Sequence, residues 1–158
     1  MLKDFIYEYE RYRTTGQKAL SQISDDYLNH PVGEGNNSVA IIVRHLGGNL
    51  VSRFTDFLTT DGEKPWRDRD SEFADRTYTR AEIMAWWDKG WDVLGAELAK
   101  LIDADLGRIV TIRGEELTVH AALARSVAHA AYHVGQIVLI ARMSAGDTWE
   151  WITIPKKK

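Results

Sequence analysis

The chain has 158 residues, of which 44% are hydrophobic and 27% charged, and its formal net charge is −3. These values are typical of one globular domain and provide no overall attraction to nucleic acid. The sequence contains no cysteine, which excludes disulfides, zinc ribbons and a thiol nucleophile supplied by the chain itself.

The first residues of the chain show no apolar region of the kind that a signal peptide has. The first segment, MLKDFIYEYERYR, is charged throughout, and no apolar run approaches the ~20 residues that a membrane span needs. We therefore expect a cytoplasmic protein with no membrane partner. The only basic cluster, Lys156 to Lys158, is interpreted as a frayed tail, so no nucleic-acid partner is predicted.

Four long segments predict helices because their apolar residues recur every three to four positions. The first runs from about Leu2 to Leu28 and ends at the loop NHPVGEGNN. The second runs from about Ser38 to Leu58, with Asn37 or Ser38 as the N-cap. Two glycines in its middle, Gly47 and Gly48, indicate either close approach of another helix or room for a bound molecule.

A polar connection of about 20 residues, TDGEKPWRDRDSEFADRTY, follows the second helix. Thr79 and Glu82 then have the spacing of a capping box, which predicts a third helix extending to about Ile102. In the segment GRIVTIRGEELTV, apolar and polar residues alternate around Arg113-Gly114-Glu115, which predicts a short hairpin. Thr118 is predicted to cap a fourth helix that ends near Met143, and TWEWITIP follows as an extended tail.

Four amphipathic helices predict an all-α fold, a four-helix bundle. At ~3.3 Å per residue the long connection could span ~60 Å, more than the ~35 Å length of the helices it joins. It could therefore act as a crossover that leaves helices two and three parallel.

Only two of the five histidines have the spacing of metal ligands. His129 and His133 lie one turn apart on one helix face, so both imidazoles can approach a single ion. His45 borders the apolar stripe of the second helix. His30 lies in a Pro/Gly loop, and His120 is turned to the opposite face of the last helix. The residues alone leave two interpretations open: histidines hydrogen-bonded within the core, or a three-histidine metal site.

The third helix and the crossover are rich in tryptophan. Trp86, Trp87 and Trp91 share the helix, and Trp66 lies in the connection before it. Large aromatic residues dominate cores and interfaces, so packing is one interpretation. The wall of a substrate pocket, or a dimer face, is the other.

Several segments resemble a known superfamily. His129-x-x-x-His133-x-Gly135-Gln136-Ile137 resembles the last-helix motif of the DinB-like (YfiT-like) proteins. Residues 37–73, NSVAIIVRHLGGNLVSRFTDFLTTDGEKPWRDRDSEF, and the tail TWEWITIP resemble one uncharacterised branch of that superfamily. The resemblance implies a single four-helix-bundle domain over residues 1–158, with its helices in up-down-down-up order. It also implies a homodimer.

The resemblance further implies a divalent metal ion held by one histidine of the second helix and two of the last. Those positions match His45, His129 and His133. Zinc or nickel is the expected metal. Three neutral imidazoles leave an open coordination position, where water or a substrate thiol could become a nucleophile. Relatives that use mycothiol or bacillithiol suggest a small-molecule substrate and a low-molecular-weight thiol as partners.

Three further polar residues lie near the proposed ligands along the helices. Asn49 is one turn beyond His45, Arg53 continues the same row, and Gln136 is about one turn beyond His133. Each could bind a ligand or substrate, but ordinary helix polarity is the favoured interpretation. A salt bridge from Arg53 to Asp56 is the alternative for the arginine. No pair of nucleophile and base can be identified as catalytic.

Two functions therefore remain open from the sequence. The first is a metal-dependent enzyme, either a hydrolase or a thiol S-transferase. The second is a non-catalytic bundle, in which the metal is structural or absent and the protein acts as a binding or stress-associated partner. The superfamily name also suggests DNA binding, but the acidic charge balance argues against it.

Overall fold

The computed structural model describes residues 1–74 and 76–154, and this part of the chain is mainly helical, as predicted. The helices are α1 (Leu2–Leu20), α2 (Asp25–Leu28), α3 (Val39–Phe54), α4 (Arg80–Leu98) and α5 (Val119–Ala145). A hairpin of β1 (Ile109–Ile112) and β2 (Glu115–Thr118) precedes α5. Short 3₁₀ turns occupy Asp70–Phe73, Asp103–Gly107 and Gly146–Thr148. The terminal lysines, Lys156 to Lys158, and the last residue of the TWEWITIP tail lie outside the described residues.

The predicted first helix is divided in two, so its predicted end at Leu28 is wrong. Helix α1 ends at Leu20, where the side chain of Arg80 donates hydrogen bonds to the carbonyl oxygens of Leu20 and Ile23. These bonds satisfy carbonyl groups that a helix end leaves without partners. Ser24 then adopts an extended conformation and begins the separate turn α2.

The second and third predicted helices also extend too far at their C-terminal ends. Helix α3 stops at Phe54, because Thr55 is extended and Asp56 has a φ of 48°. Phe57 nevertheless stays buried, as does Leu101 after the end of α4. The turns after these helices therefore still place apolar side chains in the core at helix-like intervals. For this reason, the periodicity of apolar residues alone could not show where the helices end.

The predicted helix starts and the hairpin are confirmed. The side chains of Ser38 and Thr118 accept hydrogen bonds from backbone amides in the first turns of α3 and α5, and Thr79 forms the capping box of α4. The strands pair antiparallel around Arg113 and Gly114, which both have positive φ. That backbone conformation is typical of a two-residue hairpin turn.

The long helices enclose one apolar core, in which α3 packs along α4 and α1 packs along α5. Helix α3 is the most enclosed, since 12 of its 16 residues are buried. Trp87 and Trp91 lie in the core, which confirms the packing interpretation for these two tryptophans. Trp66, in contrast, is exposed. The central position of α3, with α5 beside it, places polar groups of the two helices in contact.

Candidate metal centre

Helices α3 and α5 bring three histidines together. His45 from α3 faces His129 and His133 from α5, with ring centroids 5.4 and 5.1 Å away, and the two α5 rings are 4.5 Å apart. Each ring offers a nitrogen that lies within 4.8 Å of the other two nitrogens. Nitrogen ligands at ~2.1 Å from a tetrahedral ion are ~3.4 Å apart, so these three histidines could hold a metal ion.

The outer nitrogens of two rings have hydrogen-bond acceptors. His45 Nδ1 lies 2.9 Å from Glu72 Oε2, and His133 Nδ1 lies 2.9 Å from Gln136 Oε1. Carboxylate and amide oxygens accept hydrogen bonds, so each Nδ1 carries the proton and donates it. In the neutral tautomer that carries its proton on Nδ1, each ring presents Nε2 with a lone pair to an ion.

The third ring completes the cluster. His129 Nε2 lies 3.1 Å from His133 Nε2, so two ring nitrogens face each other across the short gap. The remaining nitrogen, His129 Nδ1, is buried and has no hydrogen-bond partner among the described residues. With the proton of His129 on Nδ1, a cation between the facing nitrogens would be attracted by both lone pairs. The donor set therefore fits a divalent ion.

Burial keeps His129 and His133 uncharged at neutral pH. Burial, together with the neighbouring imidazoles of His133 and His45, lowers the pKa of His129 from 6.5 to about 3. Burial also lowers the pKa of His133 to about 4, although the hydrogen bond with Gln136 acts in the opposite direction. Because metal ligands must be deprotonated, both rings are ready to bind an ion without first losing a proton.

Glu72 is a component of this site that the sequence analysis did not identify. It lies in the 3₁₀ turn of the crossover, is only 5% exposed, and accepts two hydrogen bonds from Arg67 at 2.8 and 2.9 Å besides that of His45. Burial raises the pKa of Glu72, but the bonds from His45 and Arg67 outweigh burial and hold the pKa below its usual value. The carboxylate therefore stays ionised and orients His45.

The two glycines of α3 have different roles. A Cβ on Gly47 would lie 2.5 Å from the backbone oxygen of Trp86, so Gly47 allows α3 and α4 to approach closely. A Cβ on Gly48 would lie 2.3 Å from Glu72 Oε1. The first role confirms the interpretation of close helix packing. The second glycine leaves room for the side chain that holds His45.

A cavity of about 240 Å³ borders the cluster, and both His45 and His129 line it. Asn49 and Arg53 line the same cavity, whereas Gln136 contacts the cluster from another side through His133. The suggested pairing of Arg53 with Asp56 is wrong, because both terminal nitrogens of Arg53 lie 3.3 Å from Glu63 Oε2. The loop after α3 turns Glu63 back towards Arg53, while Asp56 is exposed.

The other histidines lie outside this cluster. His30 is exposed in the loop after α2. His120 is also exposed, and its ring packs edge-on against Phe5 with centroids 5.3 Å apart. The tryptophans that the structure describes do not line the cavity beside His45 and His129.

Comparison with known protein families identifies one family that matches the whole of this sequence. A family model described as "Protein of unknown function (DUF1572)" matches residues 1–158. The chain belongs to this family. No curated protein matches the chain. None of the helices in the described residues has the length and apolar character needed to cross a membrane.

Proposed function

We propose that the protein is a metal-dependent enzyme of the DinB-like superfamily, in which His45, His129 and His133 bind one divalent ion, zinc or nickel. The observation that carries this proposal is the cluster of three nitrogens beside a cavity, with Glu72 and Gln136 fixing two of the rings. Such outer hydrogen bonds set the tautomer and orientation of metal-binding histidines.

The reaction we propose is hydrolysis or the transfer of a small thiol to an electrophile. An ion bound by the three imidazoles would supply Lewis acidity and would activate water or a thiol at neutral pH. The chain itself orients the imidazoles, and Asn49 offers an amide to a substrate from the cavity wall. Because the chain has no cysteine, a thiol would have to enter as a second substrate of the bacillithiol or mycothiol type.

The superfamily topology, up-down-down-up, is part of the proposal, and contacts between α3 and α4 support it. Arg44 lies against the ring of Trp86, and one turn later Gly47 lies against Trp86 and Gly90. The contacts advance towards the C-terminal ends of both helices together. Parallel helices have this pattern, and a long crossover is needed to connect them.

Contacts between α1 and α5 support the same topology. Phe5 packs against His120, and Tyr9, one turn later, donates a hydrogen bond to the carbonyl oxygen of Leu123 at 3.2 Å. This pattern of contacts supports a parallel arrangement of α1 and α5. Tyr9 in addition meets Phe54 at the C-terminal end of α3, as expected if α1 and α3 are antiparallel.

A homodimer remains part of the proposal. Three exposed apolar residues on α5 lie near one another along the helix: Tyr132, Leu139 and Met143. Such residues are enriched where two chains meet. Sedimentation of the purified protein at several concentrations tests this, and a monomer at every concentration would contradict it.

Activity assays on the metal-loaded protein test the proposed function. The protein, loaded with zinc or nickel, is incubated with ester substrates alone and with electrophiles plus bacillithiol or mycothiol. Product that forms only with the thiol identifies a transferase, and product without it identifies a hydrolase. We expect His129→Ala to abolish turnover and the matched variant His120→Ala to retain it.

Two results would contradict this proposal. One is equal turnover in the His129→Ala and His120→Ala proteins, which would place the chemistry elsewhere. The other is a metal-loaded protein that turns over neither class of substrate. That outcome would favour the non-catalytic alternative, in which the bundle binds a metal or a partner without chemistry.

A further inference from the structure

Five arginines line the cavity beside the histidine cluster. They come from α3, from the crossover, from the hairpin turn and from α5, so four separate parts of the chain bring positive charge to one place. The five are Arg53, Arg67, Arg69, Arg113 and Arg125. The lining residues include no carboxylate. Arginine concentrated in this way is typical of sites that bind carboxylates or phosphates.

Nearby carboxylates neutralise only part of this charge. Glu63 is shared, since it lies within 4 Å of Arg53, Arg67 and Arg113. Glu72 pairs with Arg67, and Glu115 pairs with Arg125. A fourth carboxylate, Asp61, accepts hydrogen bonds from the backbone amides of Arg113 and Gly114 beside the cavity. Among the described residues, the five guanidinium groups still outnumber these carboxylates, so the cavity keeps an excess of positive charge.

Arg67 adds an unused donor in a buried position. Its side chain is 3% exposed, and Glu72 accepts the hydrogen bonds of Nε and Nη2. The third nitrogen, Nη1, is buried without a hydrogen-bond partner among the described residues, and Glu63 Oε1 is 3.6 Å away. A buried donor without an acceptor is costly, so an oxyanion that reached Nη1 would be stabilised there.

Two arginines at the rim are free to turn towards a ligand. Arg69 is exposed, and no carboxylate of residues 1–74 and 76–154 pairs with it; its guanidinium lies over the ring of Phe73 at 4.9 Å. Arg125 makes only an exposed contact with Glu115 at 3.3 Å. Exposed ion pairs of this kind contribute little to stability. Neither side chain is therefore held in place by the fold.

We propose that this cavity binds a small molecule carrying two negative charges on oxygen, either a dicarboxylate or a phosphate. The two arginines at the rim, Arg69 and Arg125, could each contact one of the two charges. The size also suits a small ligand, since the cavity of about 240 Å³ is below the roughly 300–1,000 Å³ of pockets that take drug-sized molecules. This step rests on the proposed function. In a substrate of the metal-dependent enzyme, the anionic groups would lie against the arginines, and the reactive end would reach His45 and His129.

Calorimetric titration of chelator-treated protein at low salt tests this proposal. Succinate and inorganic phosphate are the two probes, and acetate provides a singly charged control. We expect one or both dianions to bind and acetate to bind more weakly. The stronger of the two probes identifies whether the natural ligand carries carboxylates or phosphate. Because no metal or turnover is involved, failure of anion binding and failure of the proposed enzyme activity are separate results.

A pair of double variants tests where the anion binds. Arg69→Gln/Arg125→Gln removes two cavity arginines, and Arg11→Gln/Arg108→Gln removes two exposed arginines elsewhere, which pair with Glu8 and Asp105. Both variants change the net charge equally, and unchanged circular dichroism confirms that they fold. We expect the cavity variant to bind the dianion at least about tenfold more weakly and the control variant to bind it as the wild type does.

Three results would overturn the proposal. They are an absence of binding by both dianions, equal weakening in the two double variants, and acetate binding as tightly as succinate. The first would show that the positive charge does not form an anion site. The second would show a general charge effect of the protein surface. The third would show that binding does not require two negative charges on the ligand.

Discussion

Replacing Gly48 with alanine perturbs Glu72 without altering any polar group directly. The new Cβ would lie 2.3 Å from Glu72 Oε1 and 2.9 Å from its Cδ, well inside the roughly 3.5 Å of a normal contact. The carboxylate must therefore move by about 1 Å. That movement breaks the 2.8 Å hydrogen bond from Arg67 Nε and the 2.9 Å hydrogen bond from His45.

The balance of energies predicts destabilisation. Each hydrogen bond to a charged group contributes about 1.5–3 kcal/mol, whereas alanine in place of glycine within a helix gains only about 1 kcal/mol. Gly48→Ala should therefore lower the free energy of unfolding by about 2 kcal/mol or more, as measured by urea denaturation of metal-free protein. Metal affinity, measured against a competing chelator, should fall about 10- to 100-fold because His45 loses its orienting partner.

A second glycine provides the control for this experiment. Gly95 lies in α4, and an added Cβ there would have no atom within 4 Å among the described residues. Gly95→Ala should raise the free energy of unfolding by up to about 1 kcal/mol and leave metal affinity unchanged. The reasoning would be refuted if Gly48→Ala gained stability as Gly95→Ala does and bound metal with wild-type affinity.

Three further predictions concern pH, an outer hydrogen bond and a helix cap. Since the pKa values of His129 and His133 are lower in the folded protein than in the unfolded chain, the unfolded chain binds more protons below pH 6.5. Metal-free protein should lose stability as the pH falls from about 6.5 towards 4, and a flat profile of urea midpoint against pH would contradict this. Gln136→Leu removes the acceptor of His133 Nδ1 and should weaken metal binding about 10- to 100-fold in the chelator assay. Thr118→Ala removes the acceptor for the amide of Ala121 and should cost about 1 kcal/mol in urea denaturation.

The sequence predicted those features that depend on local spacing. His129 and His133 were identified because one turn of helix separates them, and the helix starts because capping residues precede apolar repeats. The hairpin followed from alternation around Arg113 and Gly114. Helix ends were predicted less well, since Phe57 and Leu101 remain buried beyond the last helical residue.

Features that depend on distant parts of the chain could not be predicted in this way. Glu72 lies in an irregular crossover with no periodicity, and its role becomes visible only when that segment folds over Gly48. The arginines around the cavity are scattered between residues 53 and 125, so their convergence depends on tertiary packing. The partner predicted for Arg53 was also wrong, because the loop after α3 brings Glu63 within reach of its guanidinium group.

Metal content of the purified protein tests the central claim most directly. Elemental analysis of the wild type, loaded with zinc or nickel and freed of excess by gel filtration, should give one divalent ion per chain. The His129→Ala and His133→Ala proteins should retain almost none, and His120→Ala should retain the full amount. Full retention of metal by His129→Ala, or no retained metal in the wild type, would contradict a site formed by the three histidines.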